Sequence, residues 1–159
     1  MADITELILA DHRRIRRLME GLGDSARYGG GQDEACSLTL VWRRLAGVLD
    51  IHAEAEQEIW YPALFGHSHE QDAQVREAIA DHDDIREAAR EAALHPVASA
   101  AWSRAVIALL RLTTDHIARE ERGPLAVFAR RAAPELRNEL GRQWAAFTAA
   151  RVRDTPAGR

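Results

Sequence analysis

The sequence predicts an all-α fold, an up-and-down four-helix bundle with an additional C-terminal helix. Three observations predict it. Apolar residues recur at helical spacing almost throughout the 159 residues, and period-2 alternation is scarce. The periodic segments are long and joined by short connections, as antiparallel helical neighbours require. The second half of the pattern repeats the first. Together they predict a single domain over 1–159, with the bundle at about 3–130 and the fifth helix at about 134–151.

The first helix carries Ile4, Ile8, Ile15 and Leu22 on one stripe, with His12 among them, and ends near the Gly-rich "YGGGQD" at 28–33. The second runs from about Glu34 to Tyr61 and is closed by Pro62, through Leu38, Trp42, Leu45 and Leu49 to His52 and Glu56. "GHSHEQD" at 66–72 is the next loop. The third helix then aligns Val75, Ile79, His82, Ile85 and Ala89, and "HPVAS" at 95–99 makes the following turn. The fourth presents Trp102, Val106, Leu109, Thr113, His116 and Glu120 and is broken by Gly123 and Pro124. The fifth, from Pro134, is amphipathic through Leu136, Leu140, Trp144 and Phe147; the final "RDTPAGR" reads as a frayed tail.

Composition narrows the function classes. The chain is 47% hydrophobic and 29% charged, as soluble globular proteins are. A net charge of −4 argues against bulk nucleic-acid or anionic-membrane binding. All 21 basic residues are arginine, which excludes lysine Schiff-base and P-loop chemistry. The lone Cys36 excludes an intramolecular disulfide and any multi-cysteine zinc or iron–sulfur site. The acidic N-terminus lacks the apolar core of a secretory signal and no 18-residue apolar run occurs, so the expected location is cytoplasmic. The "RRIRR" run at 13–17 reads as a solvated helix face around an inward Ile15.

The internal repeat makes the chemistry legible. "DHRRIRRLMEGL" at 11–22 is echoed by "DHDDIREAAREA" at 81–92, and "HAEAEQEIWYPALF" at 52–65 by "HIAREERGPLAVF" at 116–128. Two helices therefore each supply one histidine, and two each supply a His-x-x-x-Glu pair. If the four faces meet at the axis, the centre holds His12, His52, His82, His116, Glu56 and Glu120. Buried unpaired carboxylates cost on the order of several kcal/mol each. No arginine lies on these stripes at the same level to neutralise them. A dinuclear metal centre satisfies every group, with the glutamates bridging and two imidazoles on each ion. Mixed imidazole and carboxylate ligands suit iron, with manganese and zinc ranking behind it.

Neither His-Glu-x-x-His nor Glu-x-x-His occurs. The residues three before the inward histidines are Leu9, Leu49, Ile79 and Thr113, which argues against zincins and ferritin-like carboxylate di-iron proteins.

The two Asp-His-x-x-Ile segments at 11–15 and 81–85, with the two His-x-x-x-Glu segments that run on to a proline, resemble the hemerythrin-like proteins with the HHE cation-binding domain. The resemblance covers roughly residues 3–130. It implies a hemerythrin-like bundle around a non-heme centre of two iron ions joined by an oxo or hydroxo bridge. Glu56 and Glu120 would bridge, with His12, His52, His82 and His116 as terminal ligands and a small diatomic or peroxide ligand (O2, NO or H2O2) at an open position. The chain departs from the oxygen carriers of that family, whose third helix carries two histidines one turn apart. Here the flanking positions are Ala78 and Arg86, and Glu120 stands where carriers tend to use aspartate. The vacated ligand position favours ligand exchange and redox turnover over quiet storage.

Tyr61, at the proline-broken end of the second helix, is the residue placed to fill the gap as an additional ligand or as a hydrogen-bond donor in the site. Glu87, about 140° around its helix from His82, is poorly placed. His67, His69 and His95 read as solvated, the four tryptophans as core, and Asp11 and Asp81 as partners of ligand histidines or surface groups. The expected function is oxidative or nitrosative stress handling, by catalase-like turnover or by sensing. The competing readings are reversible O2 or iron binding without turnover, a di-iron oxidase acting on an organic substrate, and a structural bundle.

Overall fold

The computed structural model describes residues 3–28, 32–66 and 69–154, and among these every regular element is helical. The Gly-rich connection at 29–31, His67 and the tail beyond Asp154 lie outside the described residues. Helix α1 spans Ile4–Tyr28, α2 Gln32–Ala55, α3 His69–Ala93 and α4 Ala100–Arg122; a short α5, Pro124–Arg131, precedes α6, Pro134–Asp154. Helix α1 packs against α2 and α4, and α3 packs against the same two, which is the up-and-down order. Helix α6 lies across α1 and α2.

Local chemistry sets the ends. The Asp3 carboxylate accepts from the Thr5 amide at 2.9 Å and opens α1, and the Ser99 hydroxyl accepts from the Trp102 amide to open α4. Gly123 ends α4 where an added Cβ would meet the Arg119 carbonyl at 3.0 Å. Gly66, at φ 82, turns the chain toward α3.

Four differences from the sequence expectation carry information. The second helix does not run as one α-helix to Tyr61. It passes into a π turn, Glu56–Trp60, and then a 3-10 turn, Tyr61–Ala63, that holds Pro62 near its start. The stretch after Gly123 forms α5, because Pro124 suits a first helical position and Leu125 and Phe128 are buried. Leu136 is 42% exposed and does not share the buried face of Leu140 and Trp144. Helix α6 continues to Asp154, past the expected end at about 151.

The core has two apolar halves with a polar layer between them. One half joins Ile15, Leu45, Ile85, Trp102 and Leu109; the other joins Ile8, Trp60, Val75, Leu125 and Trp144. Each of the four bundle helices brings a histidine to this level, His12, His52, His82 and His116, with Glu56, Thr113 and Glu120 buried beside them. Two apolar halves of this size stabilise a fold that carries a costly polar layer, since full burial of each large side chain contributes about 1.5–3 kcal/mol.

Candidate metal centre

The structure brings together all seven residues singled out by the sequence. His12, His52, Glu56, Tyr61, His82, His116 and Glu120 are each no more than 4% exposed. Their donor atoms form two groups that could each hold a metal ion: His12, His52, Glu56 and Glu120 in one, and Glu56, His82 and His116 in the other.

Glu56 faces both groups. Its Oε1 lies 3.1 Å from His52 Nε2 and 3.8 Å from His12 Nε2, while its Oε2 lies 3.2 Å from His82 Nε2 and 4.0 Å from His116 Nε2. Glu120 is held less symmetrically. Its Oε2 sits 3.4 Å from His12 and 3.6 Å from His116, and its Oε1 accepts a 2.7 Å hydrogen bond from the Tyr61 hydroxyl.

These atoms are close without being satisfied. His12 Nε2, His52 Nε2, Glu56 Oε1 and Glu120 Oε2 are buried and have no hydrogen-bond partner among the described residues. Orphaned buried polar atoms are costly and uncommon in folded proteins. Four of them converging from three helices fit a bound cation. The donor set, imidazole nitrogens and carboxylate oxygens without sulfur, suits a first-row transition metal such as iron.

Electrostatics in the metal-free cluster points the same way. Burial alone would lower the His12 and His52 pKa values. Carboxylates override it: Glu120, Glu121 and Glu56 hold His12 well above its usual 6.5, and Glu56 and Asp11 push His52 up to about 9. Burial would raise the Glu56 carboxyl, yet His52, His12 and His82 keep it well below the carboxylate range. Protons thus stand where cation charge is wanted.

A crossed outer layer orients the imidazoles. His116 Nδ1 lies 3.3 Å from Asp81, which also pairs with Arg119. His52 Nδ1 faces Asp11 across 3.8 Å, too far for a hydrogen bond, and has no partner among the described residues. Each aspartate thus lies toward the histidine of the neighbouring helix, not the one it precedes in sequence, and Asp81 is the one within bonding distance. His12 Nδ1 meets Glu121 at 3.1 Å, and Glu121 is clasped by Arg16 through two bonds of 2.9 and 2.8 Å. His82 Nδ1 meets Gln57 at 3.2 Å, and Gln57 accepts from Arg86. Glu121, Gln57 and Arg16 were missed by sequence reasoning. The signal was present in the repeat: Gln57 follows Glu56 as Glu121 follows Glu120. Arg16 is accordingly part of this layer and not only a solvated residue of the "RRIRR" face.

Tyr61 reaches the layer because of the π turn. Five residues of α-helix would set it about 140° from Glu56. Instead the Tyr61 amide donates to the Glu56 carbonyl, an i to i+5 bond that closes the wider turn. The Tyr61 hydroxyl comes within 3.4 Å of Glu56 Oε2 and 3.5 Å of His82 Nε2, and its ring stacks on His82. Burial, then the charges of Glu56 and Glu120, raise its pKa well above 10, so the phenol keeps its proton as a donor. The other flagged side chains are elsewhere: Glu87 pairs with Arg90 at the surface, His95 with Glu91, and His69 is exposed at the start of α3.

No helix among the described residues is long and apolar enough to cross a membrane. Among known proteins, no curated protein and no solved structure gives a match. The family model described as the hemerythrin HHE cation binding domain matches residues 3–126, which include every residue of the buried cluster. The chain belongs to the hemerythrin HHE cation-binding domain family.

Proposed function

We propose that the buried cluster holds two iron ions and that the protein binds or turns over O2, H2O2 or NO, in oxidative or nitrosative stress handling. His12 and His52 would hold one ion, His82 and His116 the other, and Glu56 and Glu120 would span them. Iron, when bound, supplies one-electron redox chemistry and open coordination positions.

The observation that carries the reading of the ligand is a small cavity against the cluster. It measures about 10 Å³, the space for one water-sized molecule, and is walled by His52, His82 and His116 on one side and Ile15, Leu49, Ile85 and Ile117 on the other. The Thr113 hydroxyl borders it, buried and without a hydrogen-bond partner among the described residues. A ligand of one or two heavy atoms is the most that this space suggests, and an organic substrate does not fit it. The apolar wall excludes bulk water, and Thr113 offers one hydrogen bond to what enters. Tyr61, which does not line the cavity, keeps a proton on its oxygen beside Glu120.

The pair of histidines on the third helix of the oxygen carriers is reduced here to His82 alone. The position one turn before it is Ala78, which is buried and offers no ligand atom. This supports exchange and turnover over storage. The test is peroxide consumption, and O2 and NO binding, by the purified iron-loaded protein. Steady consumption selects the catalase-like form, and stoichiometric NO or O2 binding with a spectral change selects sensing. Neither activity in a fully loaded protein would overturn the proposal.

A further inference from the structure

A large cavity lies beside the layer just described. A groove of about 800 Å³ runs between α1, α2 and α6, and His52, Asp11 and Trp144 are among the residues that line it. The Trp144 ring stands edge-on to His52 at 5.7 Å. The walls are apolar, with Leu7, Val48 and Ile51 on the bundle side and Ala145, Ala149 and Val152 on α6. Helix α6 begins eight residues after the family match ends, so one wall is an addition to the matched domain.

Basic residues outnumber acidic ones along the groove, with Arg14, Arg43 and Arg44 against Asp11. Arg14 and Arg44 line it, and neither has an ion pair among the described residues. Arg44 precedes His52 by two turns, about 12 Å of helix. Asp11 is the one carboxylate in the lining, a single helical turn from Arg14 on α1. The lining as a whole therefore favours an anion, while its apolar walls can bury only an apolar body.

We propose that this groove binds an amphipathic carboxylate, such as a medium-chain fatty acid. Its carboxylate lies at Arg14 and Arg44 and its hydrocarbon chain runs along α6 toward Trp144 and His52. The site needs no metal, so it stands or falls separately from the di-iron reading. Guanidinium–carboxylate pairing sets the polar end, and burial of the chain supplies most of the affinity.

Gly47 provides the sharpest probe. It lines the groove, and a Cβ added there meets no heavy atom within 4 Å. Gly47→Leu therefore fills the groove while favouring the helix it sits in. The experiment is calorimetric titration of the full metal-free chain with decanoate and with decanol, repeated on metal-loaded protein. Saturable decanoate binding near one per chain is expected with or without metal, and Gly47→Leu abolishes it. The paired Arg14→Glu and Arg44→Glu variant weakens decanoate about tenfold and leaves decanol unchanged. Circular dichroism confirms that each variant is folded. Three results would overturn the proposal: no saturable binding; equal affinity for decanol and decanoate; or a dimer that Gly47→Leu disrupts and decanoate does not, which would make the groove an interface between copies.

Discussion

Glu56 belongs to both donor groups of the cluster, with one oxygen toward each, and its removal has the largest expected consequence. Glu56→Ala should lose both metal ions, whereas Tyr61→Phe should keep them and alter the optical spectrum and ligand reactivity; metal analysis beside absorption spectroscopy separates the two. Glu121→Gln removes the carboxylate that orients His12 and should weaken metal binding about 10- to 100-fold. Equal affinity in the variant would assign Glu121 to a surface role with Arg16. The six ligand candidates were legible in the sequence because the repeat shows each twice. Gln57 and Glu121 were equally repeated, but nothing in helical periodicity says that a residue beside an inward glutamate reaches across to a neighbouring helix. Thr113 was legible only as an inward residue. Its unpartnered hydroxyl is a property of packing.

The element that decides the site's asymmetry is the turn at Glu56–Trp60. Four bundle helices, their order and most of their limits follow from apolar spacing and from Gly and Pro. The π turn does not, since a widened turn keeps the same residues apolar and changes only the angle at which Tyr61 emerges. The repeat contained a trace of it: five residues separate Glu56 from Pro62, and three separate Glu120 from Pro124. Deleting Glu58, which is exposed, leaves Tyr61 four residues after Glu56, about 40° around an α-helix, and should restore an α-helical turn that keeps the phenol at the cluster. The expected result is a wild-type spectrum with unchanged helix content. The spectrum of Tyr61→Phe in the deletion variant would contradict the role given to the turn. Helix α5 was not legible because its burial depends on contacts with α1 and α4, which spacing within eight residues cannot show.

At the scale of the molecule, two apolar halves hold a charged layer whose protons and metal ions compete. In the metal-free protein His52 is pushed up to about 9 from 6.5, so its contribution to stability is complete below about pH 6.5 and lost as pH rises through about 9. His12 acts in the same sense. Glu121 is pulled down to about 2 from 4.5, so its contribution is complete above about pH 4.5 and lost as pH falls through about 2. Thermal unfolding of the metal-free chain should therefore show its highest midpoint between about pH 4.5 and 6.5. A midpoint that rises steadily from pH 6.5 to 9 would contradict the protonated state of the two imidazoles. Metal uptake near neutral pH must expel those protons, and calorimetry in buffers of different ionisation enthalpy should detect their release. The central claim is that the buried layer is a two-iron centre spanned by Glu56. Metal analysis of the iron-supplied protein and its Glu56→Ala variant tests it most directly. The account predicts about two iron ions per chain in the parent and almost none in the folded variant; one ion or fewer in the parent, or an unchanged content in the variant, would contradict it.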